Sequence, residues 1–434
     1  MSQSIPESKL KRTVVGGKTA ANVGGKVLKY LAKSPFLKPE QREAEKAKLE
    51  KDYAAEIFKG LVLLKGTALK IAQLLSLELD IIPKAIRTEL EKSYNQVPPI
   101  NRALVRKMIV NSFHEPPESL FKEFDYKAFA AASLGQVHYA TSMDGKKLAI
   151  KIQYPGIDRT IKNDLQIVRG ILKPTSYARF AYPVLVEIEK RLLEELDYQK
   201  ESENTQFFKQ NLEAENVVVP AVDTNFCTKT VLATEHLEGP SLDQWIQQNP
   251  SQAERNQVAS TLYNQFLKSL FELKTLHADP NPGNFIVMKD LKVGLVDFGC
   301  VKSFSDEFIE LYRKFSITVM KGSADEYLLY IEKMNILKSD IDKNTKAKIL
   351  SIFQKVGRWY AKLYEGDVYD FGKDPEFFNQ GKQIMQEVYE YKKYLKPNPE
   401  FVFLNRTHYG LFRIFERLKA KIRIKNEFEG DVAL

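Results

Sequence analysis

The chain has 434 residues, enough for two to three domains, and 44% of them are hydrophobic and 28% charged. These ordinary globular values exclude collagen-like, coiled-coil and wholly disordered chains. The formal net charge is +9, which favours anionic partners such as phosphates or acidic lipid. Two cysteines cannot build a disulfide framework or an all-cysteine zinc site, so we expect a reducing compartment.

The basic excess is concentrated in residues 1–38, where eight Lys and Arg residues face one Glu and two Gly-Gly pairs occur. This segment predicts a flexible basic arm, either solvated or in contact with a membrane surface. No secretory leader pattern and no run of about 18 apolar residues is visible. We therefore expect a protein that is not secreted, has no transmembrane helix and lies in the cytoplasm or an organelle interior, peripheral to a membrane. Whether the N-terminal segment is an organellar transit peptide is an open alternative at this point.

Helical periodicity dominates residues 39–115. Apolar residues recur three and four apart between Ile57 and Leu75, as on one face of a helix, and proline pairs break the pattern near the end of this segment. The segment is predicted to be a helical extension.

A β-rich lobe is predicted over residues 116–238 and a larger, mainly helical lobe over residues 239–434. Two β-prone runs flank Asp144-Gly145, which is a strong hairpin signal. A helix is expected from about Tyr182 to Asn204, and Gly239-Pro240 marks the break between the lobes.

The second strand of this hairpin contains the run LAIK, which ends at Lys151 and is typical of the kinase lysine that contacts ATP phosphates. An exposed strand lysine is the alternative. A carboxylate must hold such a lysine, and the helix before Asn204 offers Glu194, Glu195, Asp197 and Glu201. We predict Glu201 as the partner of Lys151.

The run from His277 to Asn284 has the spacing of a kinase catalytic loop. Asp279 would orient the attacking oxygen, and Asn284 would bind magnesium. VDFG then places Asp297 eighteen residues after Asp279, as a second magnesium ligand. Lys151 and these residues, in kinase order, predict ATP and Mg²⁺ as cofactors. A proline-rich turn with local hydrogen bonds is the alternative for the loop.

Two further segments are predicted to contact the nucleotide. Where protein kinases carry a glycine-rich loop, this chain has four small residues: Ala130, Ala131, Ala132 and Ser133. Alanine limits close backbone approach, so the nucleotide pose should differ from that in a protein kinase. Backbone groups from Glu235 to Leu237, in a predicted hinge, would read adenine. Ala278 replaces the arginine of H-R-D and no A-P-E follows Asp297, which argues against ordinary protein phosphorylation.

The sequence resembles the UbiB-like atypical kinase family, also called the aarF-domain kinases. The resemblance rests on the segments AAASLGQVH, AIKIQYPG, ELDYQKE, HADPNPGN and VDFG, and it covers most of the chain. It implies an α+β, bilobal protein-kinase-like fold with an N-terminal helical extension. Asn281 stands where the family usually has histidine.

The resemblance also implies a lid over the active site, formed by a K-x-G-Q motif. The matching residues are Lys70 and Gln73, with Ala72 in place of the family glycine. The family's E-x-D pair matches Glu195 and Asp197, which are thought to face the lid.

By the same resemblance, we expect an ATPase or atypical kinase on an anionic membrane lipid surface, in quinone biosynthesis or lipid metabolism. Its partners would be quinone-biosynthesis proteins or a lipid or quinone precursor. A non-catalytic nucleotide-binding scaffold and a small-molecule phosphotransferase are the alternatives. No motif that reads nucleic acid is visible, so no nucleic-acid partner is expected. The segment from Phe401 to Ile424 would either contact lipid or pack in the core.

Overall fold

The computed structural model describes residues 9–64, 67–68, 70–71, 100–132, 134–175, 178–321, 324–396 and 398–429. Its contacts divide the chain into two compact units. Unit 1 contains residues 1–202 and 222–236, and unit 2 contains residues 203–221 and 237–434. The predicted helical extension and most of the predicted β-rich lobe thus belong to one unit.

Unit 1 contains an antiparallel sheet of the strands β1 (Glu123–Phe124), β2 (Ala130–Ala132), β3 (Gly135–Thr141), β4 (Lys147–Gln153) and β6 (Val231–Glu235). In this sheet β1, β3, β4 and β6 are neighbours in that order, and β2 pairs with β3. Gly145 closes the turn between β3 and β4 at a φ of 87°, a backbone conformation that favours glycine. The predicted hairpin is therefore present.

Alternation along β4 decides which side chains reach each face of the sheet. Leu148, Ile150 and Ile152 are buried in one apolar cluster with Val105 and Ile109. Because successive side chains of a strand point to opposite faces, Lys151 lies on the other face.

Among its described residues, unit 1 has the helices α1 (Lys9–Lys33), α2 (Pro39–Leu64), α3 (Arg102–Phe113), α4 (Pro117–Leu120), α5 (Ile157–Leu172), α6 (Ala178–Glu194) and the first residues of α7 (Tyr198–Asn211). The prediction of a flexible arm over residues 1–38 was wrong for α1. This helix buries Val23 in a cluster with Tyr53, Ile57 and Leu165, so tertiary packing orders it despite its glycines.

The helix predicted from Tyr182 to Asn204 is two helices. α6 ends at Glu194 and α7 begins at Tyr198. The Asp197 carboxylate accepts a hydrogen bond from the Lys200 backbone N–H at 3.1 Å, so Asp197 caps the second helix.

Unit 2 places short strand pairs beside a mainly helical core. β7 (Thr275–His277) pairs with β10 (Val301–Ser303), β8 (Phe285–Val287) with β9 (Val293–Leu295), β9 with β5 (Val217–Val218), and β11 (Tyr369–Asp370) with β12 (Lys421–Ile422). Its helices are the rest of α7, α8 (Leu242–Gln247), α9 (Gln252–Phe271), α10 (Asp306–Lys321), α11 (Ala324–Lys333), α12 (Lys343–Ala361), α13 (Glu376–Glu390) and α14 (Pro399–Leu418).

The segment from Phe401 to Ile424 packs in this core. Leu404, Phe412 and Phe415 of α14 are fully buried, and Ile424 is nearly so. This finding supports the core-packing alternative over lipid contact. In the described part of the chain, no helix is long and apolar enough to cross a membrane.

Candidate active site

Lys151 lies in the middle of the unit 1 sheet. Its neighbours across the ladder are Val137 on β3 and Leu232 on β6, so hydrogen bonds on both sides fix its backbone. A central strand is a rigid support for a side chain that must reach a ligand.

Glu201, in the first turn of α7, holds the Lys151 ammonium group. The Lys151 Nζ donates to Oε1 at 2.7 Å and to Oε2 at 2.9 Å. Glu201 is 2% exposed, and the Lys151 side chain 14%. The Nζ also lies 4.9 Å from the centre of the Tyr198 ring, which favours a cation. Of the four carboxylates considered from the sequence, Glu201 pairs with Lys151 in this way.

The alanine-rich segment forms a strand beside β3. Ala130 pairs with Val137, and Ala132 with Gly135. Ser133 lies outside the described residues. Sequence reasoning gave no role to Gly135, yet a Cβ there would overlap the Ile152 carbonyl oxygen and crowd the Tyr198 hydroxyl. Glycine is thus required where this segment meets β4. The signal in the sequence would have been the glycine itself, because a glycine within a strand often marks a close approach of another backbone.

The predicted lid residue Lys70 contacts one member of the acidic pair. Its Nζ lies 3.5 Å from the Glu195 Oε1, and the two side chains are 15% and 25% exposed. Asp197, the other member, caps α7. Ala72 and Gln73 lie outside the described residues.

The predicted adenine-reading segment spans the point at which the chain passes from unit 1 to unit 2. Glu235 ends β6 opposite Leu148, and the His236 backbone N–H donates to the Lys147 carbonyl at 3.0 Å. Leu237 is buried and belongs to unit 2. The predicted hinge therefore coincides with the unit boundary in the chain.

Asp279 and Asn284 lie side by side in unit 2. The Asn284 Nδ2 donates to the Asp279 Oδ2 at 2.9 Å and to the Asp279 carbonyl at 3.3 Å. Between them, the Asn281 side chain accepts from the Gly283 N–H at 3.0 Å and closes the turn. The local bonds expected of a polar turn are present, and they also position a carboxylate and an amide together.

Asp297 follows β9, the strand that pairs with the strand after Asn284. Its φ is 63°, an uncommon conformation for a residue other than glycine and one that recurs at functional sites. The His277 Nε2 lies 3.0 Å from its carbonyl oxygen, and the Gly299 N–H donates to its carboxylate at 3.3 Å. Phe298 is buried against Phe208 of α7, so both sides of Asp297 are anchored.

Strand pairing thus brings Asp279, Asn284 and Asp297 into one region of unit 2. Lys151, Glu201 and the lid contact belong to unit 1. The motifs predict that both sets contribute to nucleotide binding.

A family model, described as the ABC1 atypical kinase-like domain, matches residues 92–329. The match covers more than half of the chain and contains Lys151, Glu201, Asp279, Asn284 and Asp297, whereas Lys70 precedes it. The chain belongs to the ABC1 atypical kinase-like family. This finding confirms the resemblance inferred from the motifs.

Relatives of this ABC1 protein are themselves named as kinases. The rat "Atypical kinase COQ8B, mitochondrial" is 30% identical over 98% of this chain and 81% of its own length. The Dictyostelium discoideum "Probable serine/threonine-protein kinase abkA" is 29% identical over 85% of this chain and 69% of its own. The Saccharomyces cerevisiae "Atypical kinase COQ8, mitochondrial" is 26% identical over 99% and 85%.

A solved structure, "The complex structure of Rv3197-erythromycin from Mycobacterium tuberculosis", matches with a TM-score of 0.62 and 23% identity. The structural match covers 90% of this chain and 98% of the solved chain. The chain therefore has the predicted α+β kinase-like fold with an N-terminal helical extension.

Gly410 packs against the catalytic-loop motif of this ABC1 protein. Gly410 of α14 lies against Pro280, and a Cβ at position 410 would overlap the Pro280 ring. Pro280 directly follows Asp279, so the glycine sets how closely α14 approaches the loop. Nothing in the sequence near Gly410 signals this contact, which joins segments 130 residues apart.

Proposed function

We propose that this chain binds ATP with magnesium and transfers the γ-phosphoryl group to water or to a small or lipid-linked acceptor. The observation that carries this proposal is the buried two-point pair between Lys151 and Glu201. A buried ion pair is costly to build and is weak support for stability alone. A role for a fixed ammonium group, in gripping phosphates, explains its place.

The unit 2 residues supply the groups that the reaction needs. The Asp279 carboxylate, held by the Asn284 amide, would accept a hydrogen bond from the attacking oxygen. Because Asn284 donates to Asp279 through Nδ2, its carbonyl oxygen would be the atom that binds the ion. That oxygen and the Asp297 carboxylate are hard ligands of the kind magnesium prefers.

These residues fit a magnesium site that the nucleotide completes. Magnesium is commonly bound by one or two carboxylates together with substrate phosphates. Within the described residues, no three His, Cys, Asp or Glu side chains form a metal-binding group. The ion, when bound, would neutralise charge on the phosphates. Asp297 and Asn284 would hold it, and the anchoring of Asp297 by His277 would keep the carboxylate in place.

The proposed class of phosphoryl acceptor rests on the family and on two protein-kinase features that this sequence lacks. Ala278 stands in place of the H-R-D arginine, and the A-P-E motif of protein kinases is missing from the sequence. The resemblance and the COQ8 relatives favour work in quinone biosynthesis or lipid metabolism. We include binding to an anionic membrane surface, inside an organelle, in the proposal.

The test is magnesium-dependent ATP hydrolysis by the full chain. Asp297→Asn should lower kcat about 100-fold or more, because a metal ligand is lost. Asp290→Asn is the matched control, since Asp290 is exposed and also has a positive φ, of 60°. Asparagine tolerates this conformation, so both variants should fold. Unchanged turnover in Asp297→Asn would refute the proposed mechanism.

A binding assay separates the scaffold alternative. A fluorescent ATP analogue that binds to the full chain with magnesium, without turnover on vesicles of anionic lipid, would favour a non-catalytic nucleotide-binding protein. Glu201→Gln should then weaken binding, because Lys151 loses its charged partner.

A further inference from the structure

The end of α1 and the turn that follows it expose apolar side chains to solvent. Leu28 is 68% exposed, Leu31 55% and Phe36 88%. Leu28 and Leu31 are three residues apart on α1, and Phe36 lies in the short 3₁₀ helix Ser34–Phe36 that follows. We call the segment from Leu28 to Arg42 the hairpin tip.

The hairpin tip is ordered by its own hydrogen bonds. The Arg42 Nε donates to the Ser34 carbonyl at 3.1 Å, and the Leu37 N–H donates to the same oxygen at 3.3 Å. Lys33 pairs with Glu45 at 3.0 Å across the hairpin. Phe36 is therefore held outward by a built turn.

The apolar residues of the tip are not used by the core of unit 1. α1 packs inward through Val23 and Thr19, beside Gly60 of α2. Leu28 and Leu31 are not members of the apolar cluster that buries Val23. Large apolar side chains that are exposed close together in the chain mark a candidate interaction surface.

The charge around the tip is basic. Residues 26–48 contain seven Lys and Arg residues against three Glu. Lys29, Lys33, Lys38 and Arg42 are exposed. Apolar side chains that protrude among lysines suit the interface of an anionic bilayer, where the rings and aliphatic groups enter the acyl boundary and the ammonium groups meet phosphates.

We propose that the hairpin tip docks on an anionic lipid surface, with Phe36, Leu28 and Leu31 inserted and the surrounding lysines on the headgroups. A side chain as exposed as that of Phe36 fits a deformable bilayer better than a rigid protein surface, which would need a matching cavity. The inference rests on the proposed function in one respect only, since it names the part of this chain that reaches the proposed membrane.

The experiment is flotation of the full chain with phosphatidylcholine vesicles, with and without phosphatidylglycerol. Wild-type protein should float with the anionic vesicles. Phe36→Asp, and separately Leu28→Asp with Leu31→Asp, should lower the bound fraction at least about tenfold, since each removes inserted apolar surface and adds repulsion. Val368→Asp is the matched control, because Val368 is 56% exposed on a loop of unit 2.

Charge is tested by Lys29→Glu with Lys38→Glu, which should abolish the preference for anionic vesicles. Binding should also weaken from about 0.1 M to about 1 M salt, as the Debye length falls from about 10 Å to about 3 Å. Vesicle-free ATP hydrolysis should be the same in Phe36→Asp and wild type, which separates this proposal from the catalytic one. Anionic-vesicle binding that survives both apolar variants would overturn it, and so would tip-dependent self-association without vesicles.

Discussion

Arg12 and Asp164 form a two-point ion pair that joins α1 to α5. The Arg12 Nε lies 2.9 Å from Oδ1 and the Nη2 2.5 Å from Oδ2 of Asp164, which is fully buried. The Arg12 Nη1 also donates to the Leu64 carbonyl at 2.8 Å, and the Thr67 hydroxyl donates to Asp164. The segment that leads to Lys70 is therefore tied to both helices.

Arg12→Leu should destabilise unit 1 by about 3–5 kcal/mol, because it leaves a buried carboxylate without its cation. Burial raises the pKa of Asp164, and Arg12 opposes that effect. Hydrogen–deuterium exchange in α1 and α5 measures the change within unit 1. The double variant Arg12→Leu with Asp164→Leu should recover most of the loss, since apolar replacement of a whole pair is often neutral. Equal exchange in wild type and Arg12→Leu would contradict the prediction.

Gly410→Ala should slow turnover and leave nucleotide binding largely intact. The new Cβ displaces Pro280, and with it Asp279, by a fraction of an ångström or more. A misplaced catalytic group typically costs about 10- to 100-fold in kcat. Helix propensity would favour alanine, so a lower kcat cannot come from a weaker helix. Gly170→Ala in α5 is the control, because a Cβ there meets nothing within 4 Å. Normal kcat in Gly410→Ala would show that the loop does not depend on this contact.

Glu195→Gln should raise ATP turnover if Lys70 belongs to an occluding lid. The Lys70–Glu195 pair is partly exposed, so its loss is worth about 1 kcal/mol or less and turnover should rise by no more than about fivefold. Glu194→Gln is the matched control. That neighbouring carboxylate is 62% exposed and pairs weakly with Lys190. If turnover rose in both variants, or in neither, the Lys70–Glu195 ion pair would not be what holds the lid closed.

His408→Phe should remove part of the acid sensitivity of unit 2. Burial between Phe266 and Phe412 lowers the pKa of His408 from its ordinary 6.5 to about 3. Between these values the unfolded chain binds a proton that the folded chain does not, so stability falls as pH falls below 6.5. The loss reaches about 3 kcal/mol near pH 4.

Phenylalanine does not titrate, so the midpoint of urea unfolding should depend less on pH in this variant over that window. Trp359 fluorescence is a suitable probe, because that residue is buried in unit 2. His114→Asn is the control, since His114 has a φ of 62° that asparagine tolerates. An unchanged pH profile in His408→Phe would rule out this histidine as the cause.

Much of the candidate site was predictable because its chemistry is carried by short spacings. Lys151, Asp279, Asn284 and Asp297 each lie in a motif of a few residues next to a strand. The partner of Lys151 was harder to predict, since four carboxylates lie within eight residues of one another. Glu201 pairs with Lys151 in the structure, but the helix containing it begins only at Tyr198, and the capping by Asp197 was not predicted.

The sequence by itself determined the kinase-like order of motifs, the hairpin around Gly145 and the basic character of the N-terminal segment, because each depends on local residue type and spacing. Only the tertiary structure decided that α1 is an ordered helix, that Asp164 holds Arg12, and that Gly410 meets Pro280. Val23 and Tyr53 are 30 positions apart, Pro280 and Gly410 are 130 apart, and Arg12 and Asp164 are 152 apart. Burial of apolar surface and pairing of buried charge act through space, and a periodic pattern along the chain does not record which distant segment will supply the partner.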